Sequence, residues 1–524
     1  MKTIILNQRK ERDELMSRPY LIRKSIQDTD LLLSSHLIKL ITGPRRVGKS
    51  TQALLMLRDK NFAYLNFDNY QLLETWDANL VMRMLDDVYP GYEYILLDEV
   101  QNLEAWDLWV SELYRMGKNL VITGSNARML SSEMATVLTG KYLQVEMLPF
   151  SLEEFFDWNK LDLHILKPEH KTESLVLTDD YLRNGGYPEV VASRQLTRNY
   201  LDTLFDSIIW KDVAKRHKVR NVTDLNNLAM YLVSNFCNPV SANELTSELD
   251  FSSVNTTKKY MDYLHEPYLF YYLSRYNNKL KLMKKAPRKV YVVDNGFVAS
   301  KAFSLSDNLG RLLENQVFIE LIRRGYDVEK TMFYYRSRND KEVDFVLREG
   351  PRILRLVQVC YDMSSPKTEK REMDSIVECA GELKCDNLVI VTYNDKRTIE
   401  KDGYFVSFNN VPEVIAREEK KGRKLISKEE AIRACLDNYF RDQNAEDEAG
   451  VLVEEASCDM EYLMINKGSE NDESVCDIGY YVQIPMSYTD GGNQYVIEGF
   501  VDGEYPYCYA TAMTANVNQT DQSE

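Results

Sequence analysis

An apolar run, His36-Leu37-Ile38-Lys39-Leu40-Ile41, leads into Thr42-Gly43-Pro44-Arg45-Arg46-Val47-Gly48-Lys49-Ser50-Thr51, and a helix-compatible stretch, Gln52-Ala53-Leu54-Leu55-Met56-Leu57, follows at once. A G-x-x-x-x-G-K-S loop between a strand and a helix is a phosphate loop by its context as well as its letters. Gly43 and Gly48 lack a Cβ, so the loop can curl until its amides point inward at a polyphosphate, which then sits at the positive end of the following helix. In that arrangement Gly43, Pro44, Arg45, Arg46, Val47, Gly48, Lys49, Ser50 and Thr51 form the cradle. Lys49 reaches the β- and γ-phosphates, and the Ser50 hydroxyl ligates Mg2+.

A site of this kind needs an acidic residue at the end of a buried parallel strand. Tyr94-Ile95-Leu96-Leu97-Asp98-Glu99 supplies it, as an apolar run that ends in two carboxylates. Asp98 is placed to hold the Mg2+ shell, and Glu99 to polarise the attacking water as general base. Phe62–Phe67, Asn119–Gly124 and Tyr142–Met147 are further short apolar runs separated by helix-length segments, the alternation of βαβ units. Ser125 and Asn126, just past the Asn119–Gly124 strand, stand where a side chain could sense the γ-phosphate or orient the water; Ser-Asn reads equally as a turn.

In combination, GPRRVGKST, YLNFD, LLDEVQNLEAW, LVITGSNARMLSSEMATVLTGKY, LPFSLEEF and YLRNGGYPEVV resemble the prokaryotic AAA-type ATPases related to the archaeal ATPase group, whose C-terminal part is a domain of unknown function. The resemblance runs over roughly residues 15–410. It implies ATP and Mg2+ as cofactors, with Lys49 and Ser50 or Thr51 as nucleotide contacts. It also implies Asp98 and Glu99 as the metal and base pair, and Ser125 or Asn126 as sensor. AAA relatives are often oligomers whose sites are finished by a neighbour's arginine. Here Thr139-Gly140-Lys141 carries lysine where the family has a T-G-R segment, which leaves Arg128, Arg45 and Arg46 as candidates without singling one out.

At 524 residues the chain is long enough for three or four domains. It has no apolar run of about 18 residues to span a bilayer, and the stretch opening MKTIILNQRKERDE is too short for a secretory signal. The eight cysteines form no C-x-x-C pair and histidines number only five, so a reduced, cytoplasmic protein without membrane association, zinc module or disulfide frame is expected. Charge is unevenly spread. From residue 441 onward there are two basic residues, Arg441 and Lys467, against eighteen acidic ones, so this segment carries the whole −16 of the chain and residues 1–440 are neutral overall.

Beyond the core (residues 1–150), a helical lid is expected over 151–221, opened by the Ser151-Leu152-Glu153-Glu154 capping box and interrupted by a turn at Asn184-Gly185-Gly186-Tyr187-Pro188. Residues 222–300 read as three helices and a hairpin turned by Asn277-Asn278, the order of a winged helix. Its wing carries Arg275, Lys279, Lys281, Lys284, Lys285, Arg288 and Lys289 with no acid from Tyr271 to Val290, a composition suited to DNA or RNA phosphates or to a solvated face.

Residues 301–440 place Glu314, Asp344, Gln358 and Cys360 on a helix–strand–strand–strand–helix–strand order that resembles the PD-(D/E)XK nuclease fold. Cys360 stands where such nucleases have a catalytic lysine, which argues against phosphodiester cleavage unless Lys341 or Lys367 reaches in. Residues 441–524 read as an acidic tail or a small β-rich appendage.

The expected architecture is therefore α/β and multidomain: a parallel-sheet P-loop NTPase core, a helical lid, a winged-helix module and an α/β nuclease-like C-terminal domain. The expected function is an ATP-binding, Mg2+-dependent ATPase whose nucleotide state controls the attached domains, with an unidentified protein partner. Two alternatives stay open: a metal-dependent nuclease gated by ATP, and a nucleotide-bound adaptor that does not hydrolyse.

Overall fold

The computed structural model describes residues 1–24, 29–125, 138, 140–161, 171–302, 309–328, 330–410, 451–453, 457–465, 475–488, 494–502 and 508–515. The chain divides into two compact units, Met1–Glu418 and Glu419–Glu524.

Five short apolar runs become one parallel sheet: β1 (Ile38–Thr42), β2 (Phe62–Asn66), β3 (Tyr94–Asp98), β4 (Asn119–Gly124) and β5 (Tyr142–Glu146), in the order β2-β3-β4-β1-β5. Every residue of β1 and β3 is buried, which is why these strands read as continuous apolar runs instead of alternating ones. Helices Lys49–Met56, Ala78–Val88 and Trp106–Arg115 form the crossovers. The outer edge of β2 is closed by the helix Lys2–Met16, whose buried Gln8 side chain donates to Asn66 O at 2.9 Å and accepts from Asn66 N at 3.2 Å, imitating one more strand residue.

Because β4 is inserted between β1 and β3, the ends of three strands stand side by side at the carboxyl edge of the sheet. That edge is where open α/β sheets bind their ligands.

Past β5, the helix Leu152–Trp158 begins with the complete capping box: Ser151 Oγ accepts from Glu154 N at 3.0 Å, and Glu154 Oε2 accepts from Ser151 N at 2.9 Å. Glu154 has a second task. Its other oxygen accepts from the fully buried Arg23, Nε to Oε1 2.8 Å, and Arg23 donates onward to Val47 O in the phosphate loop at 3.0 Å and Leu148 O at 2.7 Å. Burial alone would raise the Glu154 carboxyl; the Arg23 guanidinium overrides it and holds the group at about 2.

Helices Lys171–Asn184, Pro188–Ala192 and Thr197–Ser207 come next, and the last runs into a π-helical segment, Ile208–Lys215. The Gly185-Gly186 turn between the first two is a close-packed junction. A Cβ on Gly185, at φ +74°, would lie 1.8 Å from Asp294 Oδ1, and one on Gly186 would lie 2.3 Å from Phe150 O. Gly186 N also donates to the buried Asp294 at 2.8 Å.

Helices Val222–Ser234, Ala242–Glu248 and Val254–His265 then accompany a small antiparallel sheet of β6 (Pro239–Val240), β7 (Phe270–Leu273) and β8 (Arg288–Val292), with β8 in the middle. The connection from β7 to β8 does not close at Asn277-Asn278 as expected. The backbone after β7 pairs with the next sheet instead, Tyr276 N to Tyr334 O at 2.7 Å and Tyr334 N to Ser274 O at 3.1 Å, and Asn277 leads into a short helix, Leu280–Met283.

A six-stranded mixed sheet completes the unit: β9 (Met332–Arg336), β10 (Glu342–Glu349), β11 (Arg352–Val359), β12 (Leu388–Thr392), β13 (Arg397–Lys401) and β14 (Tyr404–Asn410), in the order β13-β14-β12-β11-β10-β9. It lies against helices Leu309–Arg323 and Pro366–Leu383. The second unit holds an antiparallel sheet of β15 (Val451–Val453), β16 (Ser457–Ile465), β17 (Val475–Tyr488), β18 (Gln494–Asp502) and β19 (Cys508–Ala515). Among the described residues no helix is long and apolar enough to cross a membrane.

The Arg23–Glu154 pair yields a stability prediction. Arg23→Ala leaves a buried carboxylate without its cation and is expected to cost about 3–5 kcal/mol; a loss under about 1 kcal/mol in urea denaturation, the size of a surface pair, would contradict the role given to it. Because Glu154 is depressed from 4.5 to about 2, the stabilisation is complete above about pH 4.5 and disappears as the pH falls toward 2.

Candidate nucleotide-binding site

The phosphate loop joins β1 to the helix Lys49–Met56, and its backbone explains its glycines. Gly43 has φ +142° and a Cβ there would meet Met147 O at 1.9 Å, whereas Gly48 needs no room but takes φ +93° as the helix cap. Arg46 adopts φ +69° between them with its side chain exposed, while Pro44 and Val47 are buried. Lys49 is buried and folds over the loop, Nζ to Pro44 O 2.8 Å; its ammonium is lowered by burial, with Glu99 and Asp98 working against that shift. Ser50 and Thr51 lie in the first helical turn, and the Ser50 hydroxyl is near enough to Asp98 to favour its charged form.

Asp98, the last residue of β3, is almost fully buried. Its Oδ1 accepts from Thr123 Oγ1 at 2.5 Å and its Oδ2 from Tyr64 OH at 3.2 Å. Burial pushes the carboxyl up to about 6 even though these hydroxyls favour the charged form. Glu99 comes next in the left-handed region, φ +53°, a conformation uncommon for a residue with a Cβ. Its amide donates to Thr123 Oγ1 at 3.0 Å, and its carboxylate accepts from Gln101 and, at 3.3 Å, from Ser125 Oγ. The Thr123 hydroxyl is thus used twice, as donor to Asp98 and as acceptor from the Glu99 amide. Asn126, Arg128 and Thr139 lie outside the described residues.

Four contributors here were not expected from sequence: Thr123, Gln101, Tyr64 and Asp212. Gln101 sits inside the same acidic motif and was legible there. Asp212 was not, since it lies 167 positions from the loop in the π-helical segment, yet it takes Arg45 in a two-pronged bridge of 3.0 and 3.1 Å. Burial works to lower the Arg45 guanidinium, and Asp212 more than compensates.

A family model described as an AAA domain matches residues 35–156, and models of two domains of unknown function match 176–308 and 309–411. The chain is 31% identical over 389 residues to an uncharacterized protein of Methanocaldococcus jannaschii, covering 71% of this chain and 85% of that one. It is 32% identical over 414 residues to an uncharacterized protein of Haemophilus influenzae, covering 75% and 97%. The chain belongs to this AAA-domain family of P-loop ATPases. Among solved structures it is similar to the Walker-type ATPase of Pyrococcus abyssi, at 14% identity and a TM-score of 0.34 over 55% of this chain and 99% of that one.

Away from the phosphate loop, the AAA-domain chain gathers its other candidate residues in an unexpected way. Lys289, expected on the exposed wing, is a correction: it is buried, with Nζ 3.0 Å from Glu314 Oε1, 2.8 Å from Glu342 Oε1 and 2.8 Å from Asp344 Oδ1. The reason is that β8 is the middle strand of its sheet and packs under the helix Leu309–Arg323, where Tyr291 stacks on Phe318 with centroids 4.0 Å apart. Arg275 is half-buried on Arg336 O at 2.7 Å, and Arg288 lies 4.9 Å from the centre of the Tyr272 ring. Lys279, Lys281, Lys284 and Lys285 are exposed around the short helix.

Gln358 does sit beside Asp344, accepting from its amide at 3.3 Å and donating to Glu372 at 2.9 Å. Cys360 instead turns to Asp362 O at 3.4 Å, and burial pushes its thiol up to about 11. The lysine that reaches the carboxylates is Lys289, not Lys341 or Lys367.

The raised Asp98 carboxyl sets a pH dependence. Below about 6 it is predominantly protonated and poorly suited to a divalent shell, so apparent affinity for the Mg2+–nucleotide pair should fall by up to about tenfold per pH unit. Asp98→Asn should flatten this part of the profile. Titration with a fluorescent nucleotide from about pH 5 to about pH 8 checks it; equal slopes in parent and variant would refute it.

Proposed function

We propose that the chain is a Mg2+-dependent ATPase in which Glu99 activates water, Lys49 and the loop amides hold the phosphates, and Ser50 and Asp98 hold the metal shell. The observation that carries this reading is the Thr123 hydroxyl, which orients Asp98 and Glu99 together at the edge facing the phosphate loop. Mg2+ bound there would neutralise phosphate charge. Donor chemistry supports the fit: Ser50 and Asp98 are hard oxygen ligands close to one another.

Within this reading each side chain has a defined task. Glu99 accepts the proton of the attacking water, and its carboxylate is held by Ser125 and Gln101 on a left-handed backbone. Ser125 is the γ-phosphate sensor. Lys49 brings a partly desolvated ammonium, which binds a phosphate more strongly than a hydrated one would.

The lid is the transmitter. Asp212 holds Arg45 of the phosphate loop, and five residues on, His217 Nε2 lies 2.7 Å from the Glu266 carboxylate at the end of the helix Val254–His265. A γ-phosphate that competes with Asp212 for Arg45 would shift the segment joining them, and with it the helices beyond. π-Helical turns recur at functional positions because they place side chains off the regular ladder.

We read residues 222–300 as a winged-helix module and 301–410 as a nuclease-like fold kept for packing or binding. The order of three helices and a β-sheet in the first, and helix, three strands, helix and strand in the second, supports this. Contact of the wing with DNA or RNA is a second reading, favoured by four exposed lysines, Lys279, Lys281, Lys284 and Lys285.

Lys49→Ala is expected to abolish ATP binding or turnover, and Glu99→Gln to keep ATP while slowing hydrolysis by about 10²–10⁴-fold. Steady-state phosphate release and equilibrium nucleotide binding measure the two effects; parental turnover in both variants would overturn the site. Asp212→Asn should keep nucleotide binding yet lose the ATP-dependent change in limited proteolysis over residues 197–266. If that change persists in the variant, the signal leaves the loop by another route.

A further inference from the structure

On the nuclease-like reading proposed above, the mixed sheet carries an acidic cluster where a divalent metal would be expected, and a metal does not fit the residues present. Glu314 comes from the helix Leu309–Arg323, Glu342 and Asp344 from β10, and the space between their oxygens is filled by the Lys289 ammonium from β8, at 2.8–3.0 Å from all three. Further donors reach the same carboxylates. Asp344 Oδ2 accepts from Val359 N at 2.9 Å, Glu314 Oε1 from Tyr291 OH at 2.8 Å, and Glu342 Oε2 from Arg336 at 2.8 Å. A metal bound here would need these same oxygens at about 2.0–2.6 Å, beside a cation that cannot leave while β8 stays in its sheet.

We propose that Glu314, Glu342 and Asp344 form a cation site whose resident cation is the chain's own Lys289, so that a divalent metal is shut out by this lysine. Lys289 takes the place of the metal and joins the wing sheet to the nuclease-like sheet. Phosphodiester chemistry is thereby silenced in the folded chain, and the domain is left with a packing or binding role.

Two cations, Lys289 and Arg336, face the three carboxyl groups. The clamp is braced on its far side by Asn315, which accepts from Val292 N at 2.9 Å and donates to Val292 O at 2.8 Å, holding β8 against the helix that carries Glu314.

The test is Mn2+ binding to the full chain without nucleotide, followed by electron paramagnetic resonance, in the parent, Asp344→Asn, Lys289→Ala, and Lys289→Ala with Asp344→Asn. ATP turnover at the parental rate certifies the fold of each variant. The expected result is Mn2+ affinity at least about tenfold higher in Lys289→Ala than in the parent, lost again in the double variant. Mn2+ binding by the parent that Asp344→Asn abolishes would overturn the proposal, and so would a Lys289→Ala protein that binds no more Mn2+ than the parent. Should Lys289→Ala not fold, Lys289→Met, which keeps the stem and removes the charge, is read in the same way.

Discussion

Arg23 and Glu154 form the interaction on which much of the nucleotide unit rests. A guanidinium can be buried only if every donor finds an acceptor and the charge finds a counter-ion. Arg23 meets both conditions by reaching Glu154, Val47 O, Leu148 O and Pro149 O. In doing so it fastens three things that the chain order keeps apart: the amino-terminal segment, the phosphate loop and the helix Leu152–Trp158. The Glu154 that receives it is also the capping residue of the helix Leu152–Trp158, so the helix start and the loop share one carboxylate.

The same solution recurs. Arg45 with Asp212 joins the loop to the π-helical segment Ile208–Lys215, and Lys289 with Glu314, Glu342 and Asp344 joins the sheet of β6, β7 and β8 to the mixed sheet. Buried ion pairs contribute little net stability compared with apolar packing, but breaking one is costly, so they favour a single arrangement of the parts. On the proposed reading, in which the state of a phosphate reaches the helices beyond the core, joints of this kind suit the task. Their geometry is discrete, and a competing anion acts on them directly.

Much of the core was legible in the chain. The phosphate loop, Asp98, Glu99 and five strands could be placed because each depends on local demands: positive φ at Gly48, continuous apolar runs for strands covered on both faces, and a helix start at Lys49. The capping box at Ser151 was legible for the same reason. Less legible were residues whose role depends on what lies opposite. Thr123 looked like one small polar residue among several, and its double use appears only once β4 is inserted between β1 and β3.

Lys289 shows the limit most clearly. In sequence it belongs to a basic run with no acid near it, and the natural reading is a solvated face. Tertiary structure reverses this, because β8 becomes a central strand and its lysine meets three carboxylates that lie 25 to 55 positions onward. The sequence by itself therefore determined the element types, the parallel sheet and the phosphate-binding loop, all of which arise from backbone preference and hydrophobic period. Only the tertiary structure decided the partners of Arg23, Arg45 and Lys289, since Coulomb attraction in a buried setting acts on distance in space, which sequence separation does not encode.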